Sequence, residues 1–223
     1  MSFQNIIQQL KNQANPRNVE GMARFGINTH NTLGVSIPVL RQMAKEIGKN
    51  HTMALELWDS GIHEARLLAG FIDVPAMVTK KQINSWVKDF DSWDICDQVC
   101  SNLFDKTPFA YSMAVEWSNK EKEFIKRAGF VLMACLAVHD KEADDKNFLS
   151  FFPLIIRGAI DERNFVKKAV NWALRQIGKR NKALNKIAIE TAQDMQAIPS
   201  KSARWIATDA LREFRLKNID VAG

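Results

Sequence analysis

Two groups of residues in this sequence combine types and spacing suited to chemistry. Trp93 and Asp97 lie four positions apart, so on a helix they share one face, a turn apart. Asp97 falls near the edge of the apolar arc made by Ile95, Val99, Cys100 and Phe104. A carboxylate at such a border is partly desolvated and its field is poorly screened, which lets it stabilise a developing cation or orient a water. A capping or solvated surface role is the plainer reading of a single helix aspartate. Asp91 and Asp94 fall at the start of the same helix, where carboxylates cap amides and suit the dipole, and both are assigned structural roles.

The second group is built around Trp172. At roughly 100° per residue, Val166, Ala169, Val170, Ala173, Leu174 and Ile177 form one apolar stripe over Phe165–Arg180. Trp172 points about 130° away from that stripe. Lys168, Arg175 and Lys179 sit at i−4, i+3 and i+7 from it and share its surface. An aromatic ring among cations suits a nucleic-acid groove, where cations meet phosphates and the ring meets a sugar or base. Alternatively, Trp172 packs on a neighbouring repeat while the basic side chains cover it with their stems. Arg127, on the flank of the stripe Phe124, Ala128, Val131, Leu132 and Cys135, has two readings: a phosphate contact, or a partner for a carboxylate such as Asp97.

Charge is unevenly distributed. From Arg163 to Lys217 there are thirteen basic and four acidic side chains, a local excess of +9 in a chain of net charge +6. That asymmetry suggests a polyanionic partner met by one end of the molecule, against the alternative of an ordinary solvated surface. Cys96, Cys100 and Cys135 complete no metal site and read as buried small hydrophobes in a reducing, cytoplasmic setting. The four histidines suggest no ligand set, and no segment reads as a membrane span or signal peptide.

The elements that must position these residues are helices. Ten glycines and six prolines in 223 residues are too few for an all-β chain, and helix formers dominate. Helix starts are expected at Ser36-Ile-Pro38, at the capping boxes Thr79–Gln82 and Ser118–Glu121, and at Asp91, Asp161 and Ser200. About twelve helices with short loops result, the least regular stretch being Ile27–Val35. Four segments share a theme of a basic residue beside a small or aromatic one, followed by an apolar stripe: EARLLAG from Glu64, KRAGFVL from Lys126, KKAVNWAL from Lys167 and SARWIATDAL from Ser202. The markers Arg127, Lys168 and Arg204 are 41 and 36 residues apart, near the period of HEAT and armadillo repeats. The expected fold is all-α: a single domain over residues 1–223, a HEAT-like or armadillo-type α-solenoid of stacked antiparallel helix pairs with a concave basic groove. An ordinary helical bundle is the competing architecture.

Through Trp93-xxx-Asp97, the Arg127-Ala128 repeat start and FVKKAVNWALR from Phe165, the chain resembles the DNA alkylation repair proteins of the AlkD type, HEAT-like DNA glycosylases. The likeness runs from GVSIPVLRQMAKEI at Gly34 to SARWIATDALREF near the end. It implies Asp97 as catalytic carboxylate, Trp93 and Trp172 as aromatic walls beside the lesion, and backbone contacts from Arg127 and Arg175, with Lys168, Lys179 and Arg204 completing the DNA-binding set. It also implies hydrolysis of the N-glycosidic bond of cationic alkylated purines such as 3-methyladenine and 7-methylguanine. The partner is double-stranded DNA carrying alkylated bases. No metal or small-molecule cofactor is needed, and the protein would be a monomer in the cytoplasm, at the nucleoid. Asn171 stands before Trp172 where the family commonly has a small residue. Two other functions compete: a non-catalytic binder of branched or distorted DNA, and a protein-interaction scaffold.

Overall fold

The computed structural model describes residues 1–217. Every regular element among them is helical, and the helices divide into two compact units, Met1–Thr107 and the chain from Pro108 onward. The first unit holds α1 (Phe3–Asn12), α2 (Pro16–Arg24), α3 (Ile37–Ile47), α4 (His51–Asp59), α5 (His63–Ile72), α6 (Lys80–Trp86) and α7 (Trp93–Asn102). The second holds α8 (Ala110–Ser118), α9 (Glu123–His139), α10 (Asp145–Leu149), α11 (Phe152–Gly158), α12 (Asn164–Gly178), α13 (Lys182–Gln196) and α14 (Lys201–Lys217). Short 3₁₀ turns punctuate the first unit at Pro75–Met77, Val87–Asp89 and Phe104–Lys106.

In the first unit α5 is the central element, packed by α3, α4 and α7 and buried at eight of its ten residues. Beside it an aromatic cluster seals the core: Trp58 and Trp86 stack with centroids 4.0 Å apart, and Phe90 and Phe104 close around them. The second unit is a succession of paired helices, α8 on α9, α9 on α12, α12 on α13 and α14. Connections of a few residues force such neighbours to run antiparallel within a pair. The four segments sharing the repeat theme fall on α5, α9, α12 and α14.

Close approach is bought by a missing side chain. A Cβ on Gly129 would lie 2.3 Å from the Ser118 amide nitrogen, so the end of α8 rests directly on the backbone of α9. This contact explains a misplaced helix start. The expected capping box at Ser118–Glu121 does not form: Ser118 is the last residue of α8, its hydroxyl donates to the Val115 carbonyl, and α9 starts at Glu123. Asp91 and Asp161 likewise precede their helices rather than cap them, since α7 is capped at Ser92 and α12 at Arg163. Thr79 does cap α6, accepting from the Gln82 amide at 3.1 Å, but the Gln82 side chain turns to Asp73 instead of completing the box. Ser36 and Ser200 precede α3 and α14 as expected, and the irregular stretch lies at Ile27–Val35, with left-handed backbone at Asn31 and Gly34.

Fourteen α-helices stand among the described residues where about twelve were expected, the shortest being α10, of five residues. Cys96, Cys100 and Cys135 are buried and unbridged. No helix among the described residues is long and apolar enough to cross a membrane.

Candidate active site and nucleic-acid interface

In the first unit, Trp93 opens α7 and Asp97 follows one turn later, both partly exposed. The Trp93 indole donates from Nε1 to the Phe25 carbonyl at 3.0 Å. Its ring thereby joins the wall of a cleft of about 570 Å³ with Met22, Phe25, Ile27 and Leu67. The other two aspartates of this region are spent on architecture. Asp91 accepts from the Asn28 amide at 2.7 Å, tying the irregular loop to the start of α7. Asp94 is buried, bonded to His63 Nε2 at 2.7 Å and to the Ser92 hydroxyl at 2.8 Å.

Burial works against charge on both partners of the His63–Asp94 pair, but the pair's own hydrogen bond and attraction prevail. His63 is raised above its ordinary value and Asp94 lowered below its own. Glu64, next along α5 and fully buried, accepts from the Leu33 and Gly34 amides at 2.9 and 2.7 Å and so closes the loop from the other side. Neither His63 nor Glu64 stood out in the sequence, because a lone polar residue in an apolar stripe carries no periodic signal.

In the second unit, Trp172 is partly exposed on α12, as the helical wheel requires. With the Gln176 amide oxygen facing the indole, Trp172 Nε1 donates to it at 3.1 Å and Lys179 Nζ at 3.2 Å. The cationic face expected around Trp172 is only partly open. Lys168 is exposed. Arg175 instead pairs with Asp209 at 3.3 Å and with Glu213, and Lys179 bonds Glu213 at 2.6 Å. Asn171 donates to the same Asp209 carboxylate at 2.7 Å. A row at i, i+4 and i+8, running along α12 to its C-cap Lys179, thus meets Asp209 and Glu213 of α14. Opposite charges at matching offsets in the two segments were a signal available beforehand.

Arg127 lies on α9 and is 6% exposed, its guanidinium donating to the Phe165 carbonyl at 2.5 Å. Its guanidinium is buried rather than open to solvent. Arg204 is exposed on α14. The three repeat markers are therefore not equivalent positions: Arg127 is buried, while Lys168 and Arg204 face water. Beside Arg204, Trp205 is 41% exposed, with the Lys167 ammonium 5.0 Å from its ring centroid. No three His, Cys, Asp or Glu side chains among the described residues gather as a metal site.

Against known structures, one solved protein is similar over 96% of this chain and 95% of its own, with a TM-score of 0.80 and 19% identity. It is described as belonging to a new family of proteins related to the HEAT-like repeat DNA glycosylases, with affinity for branched DNA structures. The likeness establishes the HEAT-like fold. No curated protein matches the chain. The model of the DNA alkylation repair enzyme family matches residues 6–214, across both units, and the chain belongs to that family.

Proposed function

We propose that this protein is a monofunctional DNA glycosylase that releases cationic alkylated purines, 3-methyladenine and 7-methylguanine, from double-stranded DNA. The observation that carries the reading is the pairing of Trp93 with Asp97, a part-exposed indole and a part-exposed carboxylate one turn apart at the start of α7. A cationic N-alkyl purine is a good leaving group. As the bond from C1′ to the base nitrogen breaks, the electron pair goes to the base, which departs neutral, and positive charge develops on the sugar. In this reading the Asp97 carboxylate stabilises that oxocarbenium character and orients the water whose oxygen bonds C1′, its proton passing to the carboxylate or to solvent. The face of Trp93 adds cation–π stabilisation. The protein acts as a monomer, without metal or cofactor, on chromosomal DNA in the cytoplasm.

The test is base release from methylated duplex DNA. Wild-type protein is expected to release 7-methylguanine or 3-methyladenine, and Asp97→Asn to lower the rate at least a hundredfold while leaving DNA affinity within a few-fold. A wild-type protein that binds DNA but releases no methylated base sinks the enzymatic reading. The second reading, a non-catalytic binder of branched DNA, takes its support from the solved structure of similar fold described with that affinity. It predicts tighter binding to a four-way junction than to the duplex, indifferent to Asp97→Asn.

A further inference from the structure

The distribution of charge over the helices of the second unit singles out one surface. On α13 the exposed charged residues are of both signs, Lys182 and Lys186 in its first half and Glu190 and Asp194 in its second. Such a face is content in water. On α14 the exposed charged residues are Lys201, Arg204, Arg212 and Arg215, all cationic, while its two acids, Asp209 and Glu213, are turned to α12, each side chain 17% exposed. Segregating like charges on one stripe costs self-repulsion, and a polyanion laid along it relieves that cost. Arg212 is shared with Asp209 yet keeps 74% of its side chain in solvent.

The stripe also carries an aromatic. Trp205 sits between Arg204 and the Lys167 ammonium, with 41% of its surface in water. A tryptophan exposed to that degree within a cationic field is unfavourable to leave bare and suited to stacking or sugar contact. From Lys201 to Arg215 the helix rises by fourteen steps, roughly 21 Å of axis at 1.5 Å per residue. Duplex DNA presents one negative charge per about 1.7 Å of its own axis, so a track of that length finds phosphates for every cation.

We propose that the solvent face of α14 is a duplex-DNA docking surface, in which Lys201, Arg204, Arg212 and Arg215 meet backbone phosphates and Trp205 packs on a sugar or base. The proposal rests on the DNA-binding part of the function above and not on its catalytic part. It moves the principal phosphate contacts from Arg175 and Lys179 of α12, whose charges Asp209 and Glu213 already meet, to the outward face of the neighbouring helix.

The experiment measures the affinity of the full chain for an unmodified duplex across a range of salt, with base release assayed in parallel on methylated duplex. Removing all four cations (Lys201→Ala, Arg204→Ala, Arg212→Ala, Arg215→Ala) should make the slope of log affinity against log salt shallower by about 3 to 4, and each single change by about 1. Trp205→Ala should weaken binding at least fivefold with little change of slope, Trp205→Phe should restore most of it, and DNA should quench the fluorescence that Trp205 contributes. These positions are exposed, and the variants' melting temperatures verify folding. If the quadruple variant binds with wild-type slope and affinity, the surface is wrong, whether or not the parallel assay releases methylated base. Loss of base release with binding intact would instead strike only the catalytic reading.

Discussion

Helices α12 and α14 are neighbours of similar length and both bring cations to the basic end of the chain, yet the structure treats those cations in opposite ways. On α12, Arg175 and Lys179 are drawn onto Asp209 and Glu213 and become part of the packing between helices. On α14, Arg204 and Arg215 stand in solvent. Arg180, just past α12, is the extreme case of the first kind. Its guanidinium donates to the Ala137, Asp140, Lys141 and Ala143 carbonyls and lies 4.2 Å from the Phe148 ring. The difference teaches that a net charge measures what a segment contains, not what it can offer a partner.

The largest effect expected from this contrast is at Arg180. Replacing it with Ala removes the donors that tie down the end of α9 and the chain after it, and should cost on the order of 3 kcal/mol in urea unfolding. A loss below about 0.5 kcal/mol would mean that these bonds are made as well by water.

In the first unit, Asp94 is buried and paired with His63, while Asp97 one turn further along α7 is part-exposed. Asp94→Asn should cost about 2 kcal/mol at neutral pH. Because His63 is raised above its usual value in the folded protein, its contribution is full below about pH 6.5 and is lost as pH rises through the raised value. Asp94, lowered, contributes fully above its ordinary value and loses that stability as pH falls through the lowered one. Wild-type unfolding free energy should therefore decline, as pH rises above about 6.5, more than that of Asp94→Asn. Parallel curves would remove His63 as the cause.

The smallest effects sharpen the comparison most directly. Arg175→Met should destabilise by about 1 kcal/mol, less if Glu213→Gln is already present, since the two share one interaction. Arg204→Ala should leave stability within about 0.5 kcal/mol, as expected of an exposed side chain without a packing role. Equal losses at the two positions, measured by urea unfolding, would erase the distinction between α12 and α14.

Much of this molecule is legible in its local sequence. Thr79 before Gln82 and Ser200 before α14 mark helix starts through side-chain caps confined to one turn, Ser36 before Pro38 marks one by position alone, and the stripe from Val166 to Ile177 marks the buried face of α12. Trp172 off that stripe, and Trp93 one turn before Asp97, follow from the same geometry. The Ser118 motif fails where the Thr79 cap forms because α8 comes to rest on the backbone of Gly129, a contact no four-residue pattern contains.

The fate of each charge was beyond such patterns. Arg175 and Asp209 are 34 residues apart, and Arg127 reaches a carbonyl 38 residues away. The sequence by itself determined that the elements are helices, which faces are apolar and how much charge the C-terminal end carries. Only the tertiary structure decided which cations are spent inside the fold and which face water. That choice is set by which helices become neighbours, and the energy of an ion pair depends on distance and burial that exist only once the chain has packed.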